Sequence, residues 1–411
     1  MGSKILLKIL KDNLAEEFVS LRRDYFNKDD LFAYDAIHDY FEKYGKLPSV
    51  DFVVKNKIIE IDDVTEDYEY LRDELIKNYV AEKVDNLISV ATNLKKVDPI
   101  KAIDAVKESL TEIDLDVNAI GKDVYTFSDL SEEIVNELKS LRSTKGITGI
   151  PTGWSTFDRL TAGYQKGDVY AVVARVKTGK SMFMLYSANA CHEAGYIPMM
   201  ISMEMKVKHF ARRHLALKTK IDYNFYKTGQ LSSITEKMIK RDIKKLKDQH
   251  PFYYVEGQLK KSINDIYSLV VTYKPDILFI DGGYLLDIPH RTTQRWEAME
   301  LLMKHIKSIA MRLSLPVVVS FQLNREALKK KVGEVGMEHI RLSDDIGAIA
   351  SVVVGIFETA PEDEDVLDEG LIPYRYIDVL GGRDGEAGGF YINWNWENMD
   401  FSEIDKSELN L

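Results

Sequence analysis

Through residues 1–115 apolar side chains recur three and four positions apart, in amphipathic stretches near Lys4–Leu21, Leu31–Tyr44, Glu66–Ala91 and Ile100–Leu115. That period predicts an almost wholly helical N-terminal domain, broken by Gly45 and Pro48 after the second stretch. The period weakens between Asp116 and Tyr125, where Gly121 appears, which predicts an interdomain linker. Thr126 to Leu141, TFSDLSEEIVNELKSL, is again amphipathic and reads as a linker helix with Thr126 or Ser128 available as its cap. Its apolar face must pack on its own chain or on a neighbouring subunit.

From about Gly146 the pattern changes to short apolar runs alternating with helical stretches. Strands are predicted at Asp168–Ala174, Tyr196–Ser202, Phe252–Val255, Asp276–Asp281 and Pro316–Ser320, with further β candidates at Val352–Glu358, Tyr374–Leu380 and Gly389–Trp394. Helices are predicted at Met182–Ala194, Met205–Lys218, Ile263–Tyr273 and Trp296–Leu313. Such alternation predicts an α/β fold with a mostly parallel sheet flanked by helices, and places ligands at the carboxyl ends of the strands. The expected division is residues 1–115 for the helical domain, 116–145 for the linker and its helix, and 146–411 for the α/β domain.

Composition narrows this picture. A chain of 411 residues with 45% apolar content can bury a sizeable core in two domains. The net charge of −11 argues against a generally basic nucleic-acid coat, but a basic channel can hide within an acidic exterior. Cys191 is the only cysteine, which excludes an intrachain disulfide and a cysteine-based zinc site and points to a reducing compartment. The longest apolar runs, Leu315–Phe321 and Ile349–Phe357, fall far short of the ~20 residues that span a bilayer. The N-terminus, with Lys4, Lys8 and Lys11 soon followed by acids, does not read as a signal peptide. The expectation is a cytoplasmic protein with no membrane partner. His38, Asp35 and Asp39 read as a solvated helix face rather than a metal site.

Candidate chemistry concentrates where the first strand meets its helix. Arg175, Val176, Lys177, Thr178, Gly179, Lys180 and Ser181 stand between them, the strand–loop–helix context of a phosphate-binding loop. Such a loop turns backbone N–H groups inward at a helix N-terminus. Lys180 would meet the β- and γ-phosphates and Ser181 would complete a Mg²⁺ shell. Ala174 stands where the usual pattern has its first glycine, and a Gly-Lys-Ser turn at a helix start also occurs by chance. Two downstream features favour the nucleotide reading. Glu204 follows the second strand, where a carboxylate can orient or deprotonate an attacking water, and Asp281 ends an apolar strand, where it would hold Mg²⁺ through water. A strand-ending aspartate also serves as a turn or a cap. Gln322, just past another strand, is either a contact to the γ-phosphate or its water, or a surface residue. Arg325, Lys329, Lys330 and Lys331 follow it, a run that reads either as a solvated face or as a contact to a phosphate backbone.

PTGWSTFDRLTAGYQKGDVYAVVARVKTGKS, followed by SMEM, KTGQL, LFIDGGYLL and SFQLNR, resembles the DnaB-type replicative helicases, particularly the shorter versions encoded by tailed phages. The resemblance covers the whole C-terminal domain and, more weakly, the helical domain and linker helix. Ala174 is ordinary in that family. The resemblance implies a RecA-like ATPase that uses ATP or another nucleoside triphosphate with Mg²⁺, forms a homo-hexameric ring around single-stranded DNA and moves 5′ to 3′. It matches Lys180 and Ser181 to the phosphate and Mg²⁺ contacts, Glu204 to the catalytic base, Asp281 to the Walker B aspartate, Gln322 to the γ-phosphate sensor, and Arg383, in LGGRDGEAG, to an arginine finger reaching the next subunit's nucleotide. A separate primase and a loader are the implied partners, and a phage-encoded version would act in the host cytoplasm. The chain departs from the family at Gly381, where a lysine usually precedes the finger, and in DDIGAIASVVVG, which lacks the usual glutamine and acids. A recombination ATPase of the RecA or RadA kind, and a non-hydrolysing assembly module, are the competing readings.

Overall fold

The computed structural model describes the chain except for residues 61–62, 119–125, 144–146, 258–260, 288–294, 324–344, 359–373, 383–386 and 406–411, and some side chains within helices. It divides into two compact units, Met1–Ile134 and Val135–Leu411, with the division inside a single helix, Phe127–Ser143.

In the first unit the apolar period closes a helical core. Ile5, Leu6, Leu7 and Ile9 of helix Gly2–Asp12 are wholly buried, packed among Phe18, Tyr34, Ile37, Leu71 and Leu75. The Asp30 carboxylate caps this helix, accepting from Gly2 N at 2.9 Å and Ser3 N at 2.8 Å, so that the helix start meets a negative charge. The expected stretch Lys4–Leu21 is two helices, Gly2–Asp12 and Ala15–Ser20, because Asn13 turns left-handed at φ 54° and ends the first. Helix Lys28–Tyr44 ends at Gly45 in the left-handed region, as the glycine suggested. Helices Tyr68–Val97 and Pro99–Asn118 follow, so residues Asp116–Asn118, expected in the linker, are helical. Within Lys28–Tyr44, Asp35 is held by Arg23 through paired contacts of 2.8 Å, and the His38 ring stacks on Tyr34.

The second unit is built on one sheet of nine strands: β1 Val169–Ala174, β2 Pro198–Ser202, β3 Tyr253–Glu256, β4 Ile277–Asp281, β5 Val317–Gln322, β6 Val352–Phe357, β7 Tyr374–Gly382, β8 Gly388–Asn393 and β9 Glu403–Ile404. Their order is β3-β2-β4-β5-β1-β6-β7-β8-β9. The first six strands in this order pair in parallel, and β7, β8 and β9 add antiparallel. β1, β2, β4 and β6 are buried along their whole length, which is why they read as continuous apolar runs rather than alternating ones. The predicted strands and helices lie within a few residues of their expected ends. Helices Ser155–Thr161, Tyr223–Thr228 and Ser233–Lys247 and the two-residue β9 were not anticipated. Trp154 fixes the start of the unit to its end. Its ring stacks on Phe183 at 4.3 Å, and its indole N–H donates to Phe401 O at 2.9 Å.

Three histidines lie where helix Lys180–Glu193, helix Val207–Thr219 and the segment before β3 meet. His214 Nε2 pairs with Asn189 Oδ1 at 3.0 Å, its Nδ1 pairs with the Tyr254 hydroxyl, and His192 Nε2 lies 2.9 Å from His250 O. Burial pushes the His214 pKa down to about 3 and also lowers that of His192. A depressed histidine stays neutral in the fold while the unfolded chain takes up its proton, so stability is lost as pH falls below ~6.5, by up to about 1.4 kcal/mol per pH unit for each such group. The melting temperature of the protein should therefore fall between pH 7 and pH 5, and His214→Gln should flatten that decline. An unchanged slope in this variant would remove His214 as the cause.

Candidate nucleotide site

β1 ends at Ala174, paired with Gln322 on β5 and Ile356 on β6. The chain then leaves the sheet through Arg175–Gly179 and enters helix Lys180–Glu193. Lys177 at φ 71° and Gly179 at φ 118° both occupy the left-handed region, the backbone alternation that lines a concave loop with N–H groups. Gly179 has a second constraint, since a Cβ at this position would collide with the indole of Trp394. Thr178 is buried, whereas Val176 and Lys177 are exposed. Lys180 is 7% exposed, and its ammonium donates to Ala174 O at 3.4 Å and Arg175 O at 3.3 Å. Burial lowers its pKa, against the opposing pull of Glu204 and Asp281. This is a buried cation with room for more negative charge.

Asp281 ends β4 and is 1% exposed. Its Oδ2 accepts from Ser181 Oγ at 2.7 Å, across 100 residues of sequence, and its Oδ1 accepts from Ser320 Oγ at 3.0 Å. Burial raises its pKa, the Ser181 hydrogen bond opposes that, the Glu204 charge adds to it, and Ser320 and Lys180 oppose it further. A hydroxyl and a carboxylate meeting beside an ammonium form an oxygen donor set suited to a hard divalent cation, so the residues present fit Mg²⁺.

Glu204 lies two residues beyond β2. The Ser202 hydroxyl fixes the turn, donating to Met205 O at 2.6 Å and accepting from Met205 N at 3.0 Å. Glu204 itself is exposed, on a cleft of about 500 Å³ shared with Lys206, Glu256 and Leu285. β2 and β4 run in register, Ser202 opposite Asp281, and Met203 N donates to Asp281 O at 2.9 Å. Gln322 ends β5 and is half-buried. Lys180, Ser181, Glu204, Asp281 and Gln322 thus gather at the carboxyl ends of four neighbouring parallel strands. Arg383, Arg325, Lys329, Lys330 and Lys331 lie outside the described residues. Gly381 lies in β7, opposite Val353.

Four residues around the site went unnoticed in the sequence. Ser320 is one polar residue in the apolar run VVVSF, a break that could have marked it. Tyr284 follows Asp281 by a Gly-Gly step and contacts both Glu204 and Gln322. Arg375 on β7 donates from Nε to Thr178 O at 3.3 Å, and its guanidinium lies 4.9 Å from the Trp394 ring centre. Arg375 and Trp394 reach the loop from the far end of the chain, and no local pattern announces them.

Compared with known proteins, residues 149–403, more than half of the chain, match the family described as the DnaB-like helicase C-terminal domain. The chain belongs to the DnaB-like helicase family. It is 25% identical over 332 residues to the replicative DNA helicase DnaC of Bacillus subtilis, covering 78% of this chain and 72% of that one. It is 24% identical over 413 residues to a probable replicative DNA helicase of Trieres chinensis, covering 95% and 84%. Among solved structures, a DnaB-like replicative helicase studied with its primase interactions superposes with a TM-score of 0.64 at 18% identity, covering 98% of this chain and 99% of that one. A second solved structure, described as an ATPase domain, superposes with a TM-score of 0.60 at 21% identity, covering 67% and 99%. The relatives are named as replicative DNA helicases, the second as a probable one, and this member of the family is a nucleotide-using helicase.

The geometry at Gly179 gives a direct test. Gly179→Ala should weaken binding of a fluorescent ATP analogue by at least about tenfold, since left-handed strain alone costs ~1–3 kcal/mol before the clash with Trp394 is added. Wild-type affinity in this variant would show that the loop does not hold the nucleotide.

Proposed function

We propose that this DnaB-family protein is a replicative helicase that hydrolyses ATP at the strand ends just described and moves 5′ to 3′ along single-stranded DNA as a ring of six copies. The observation that carries the reading is the hydrogen bond from Ser181 to Asp281, which joins the start of the loop helix to the end of β4 beside the buried Lys180. A phosphate loop alone binds phosphates. A loop tied to a strand-end carboxylate, with Glu204 and Gln322 on the neighbouring strands, has the parts for hydrolysis.

In this reading the Arg175–Gly179 backbone cradles the phosphates and the Lys180 ammonium opposes the β- and γ-phosphates. Ser181 and Asp281 would hold Mg²⁺, which supplies charge neutralisation to the phosphates when bound. Glu204 accepts the proton of the attacking water, and Gln322 contacts the γ-phosphate. Arg383 of one subunit stabilises charge at the next subunit's nucleotide, which makes turnover depend on assembly.

Assembly is supported by helix Phe127–Ser143, whose Phe127, Ile134, Val135 and Leu138 are 81%, 39%, 47% and 55% exposed, an apolar face still to be covered. A separate primase and a loader would complete the fork. No helix of the described residues is long and apolar enough to cross a membrane. The likeness to replicative DNA helicases supports a cytoplasmic place of action, the host cytoplasm for a phage-encoded chain.

Strand displacement on forked DNA tests the reading. The protein should unwind a fork with a 5′ tail and not one with only a 3′ tail, and Lys180→Ala should abolish both unwinding and ATP hydrolysis. Near-normal hydrolysis by that variant would refute the site assignment. Arg383→Ala should leave nucleotide binding intact and depress turnover of the assembled ring by as much as ~10³-fold. Mixing it with Glu204→Gln protein should restore part of the activity, because some interfaces then join an intact base to an intact arginine. No recovery on mixing would place the arginine's action within its own subunit.

A further inference from the structure

After Asp281 the chain takes two glycines before Tyr284. Gly282 sits at φ 93°, and a Cβ there would lie 3.2 Å from both Glu204 Cγ and Met203 Cβ. At Gly283 a Cβ would collide with Val319 Cγ2. Gly283 leaves no space for a Cβ, and at Gly282 a side chain would be strained by the left-handed backbone and crowded by its neighbours. Gly282 N is anchored to Ser320 Oγ at 2.8 Å, on the same hydroxyl that holds Asp281. The short 3₁₀ turn Gly283–Leu285 then brings the Tyr284 hydroxyl between Glu204, just past β2, and Gln322, at the end of β5.

There the tyrosine hydroxyl donates to Glu204 Oε1 and accepts from Gln322 Nε2. The hydrogen bonds run in one direction, from amide to phenol to carboxylate, which is the order in which a phenol can be polarised by a donor on one side and pass that polarisation to an acceptor on the other. Glu204 is on an exposed turn with its carboxylate facing an open cleft, so the turn alone does not fix where the carboxylate points.

Resting on the ATPase reading above, we infer that Tyr284 is a positioning residue for hydrolysis, a link through which the contact Gln322 makes with the γ-phosphate sets the orientation of the base Glu204. The link transfers no proton and forms no bond to substrate. Its effect is on where the carboxylate stands when water attacks, so it acts on turnover and leaves ATP binding to the Arg175–Ser181 loop.

The test is steady-state ATP hydrolysis by the full-length protein on single-stranded DNA, comparing wild type, Tyr284→Phe, Gln322→Ala and the double variant. Tyr284 is only half-buried, so loss of its hydroxyl leaves the core untouched, and the melting temperature checks this. Each single variant should lower kcat by about tenfold, a fraction of the ~10²–10⁴ that a positioned general base supplies, with KM within about twofold of wild type. The double variant should be no slower than the slower single one, because both cut the same link. The link is refuted if Tyr284→Phe keeps wild-type kcat, if KM rises in proportion, or if the two losses multiply to about a hundredfold. In all three cases the ATPase reading stands as long as Lys180→Ala is inactive. A wild-type protein that hydrolyses no ATP would instead overturn the ATPase reading and the link with it. Gln322→Ala probes the link from its other end, so the inference does not rest on one substitution.

Discussion

The second unit turns on a carboxylate that has been removed from water. Asp281 is buried where β4 leaves the sheet, and a charge in that place is tolerable only with partners of fixed geometry. Its two oxygens are met by two serine hydroxyls from different segments, Ser181 at the start of the loop helix and Ser320 near the end of β5. Ser320 in turn accepts from Gly282 N, and Met203 N reaches the Asp281 carbonyl. One residue, through its carboxylate and its main-chain carbonyl, therefore sets the relative positions of the helix start at Ser181, the turn carrying Glu204 and the strand ending in Gln322. The Lys180 charge lies close enough to influence it.

Sheet order explains why these groups meet. The central run β2-β4-β5-β1 brings together strands from four distant parts of the chain, all pointing the same way, so the chemistry at each carboxyl end falls on one edge. Register does the fine placement, with Ser202 opposite Asp281 and Ala174 opposite Gln322. Because parallel pairing requires long crossovers, the intervening helices are a consequence of the site's construction as much as its support.

The antiparallel end of the sheet has a different part. β7 and the residue just past β8 bring Arg375 and Trp394 against the loop Arg175–Gly179, where the guanidinium and the indole lie against each other and the indole fills the space over Gly179. Their hold on the loop comes from the last portion of the unit, just as Trp154 ties the first portion to Phe401. The loop is thus held by the last portion of its own unit, while Trp154 packs on the helix that follows it, and the left-handed backbone at Gly179 is kept by packing that a free peptide would not have.

The class of fold was legible in the pattern of residues alone, and so were the candidate residues that the fold brings together at the strand ends. Buried parallel strands must be apolar along their length, so they stand out, and Lys180, Ser181, Glu204, Asp281 and Gln322 could be named because each lies just past such a run. The helices of the first unit were equally legible from their period, apart from the break at Asn13, where a left-handed residue interrupts a pattern that hydrophobicity alone continues. What only the tertiary structure decided is the relation between segments with no shared local pattern: the antiparallel turn of β7 to β9, the serine pair on Asp281, Arg375 and Trp394 against the loop, and Tyr284 between Glu204 and Gln322. These depend on strand order and register, which are set by how whole elements pack and by which buried polar groups must find partners, and no window of sequence contains that information.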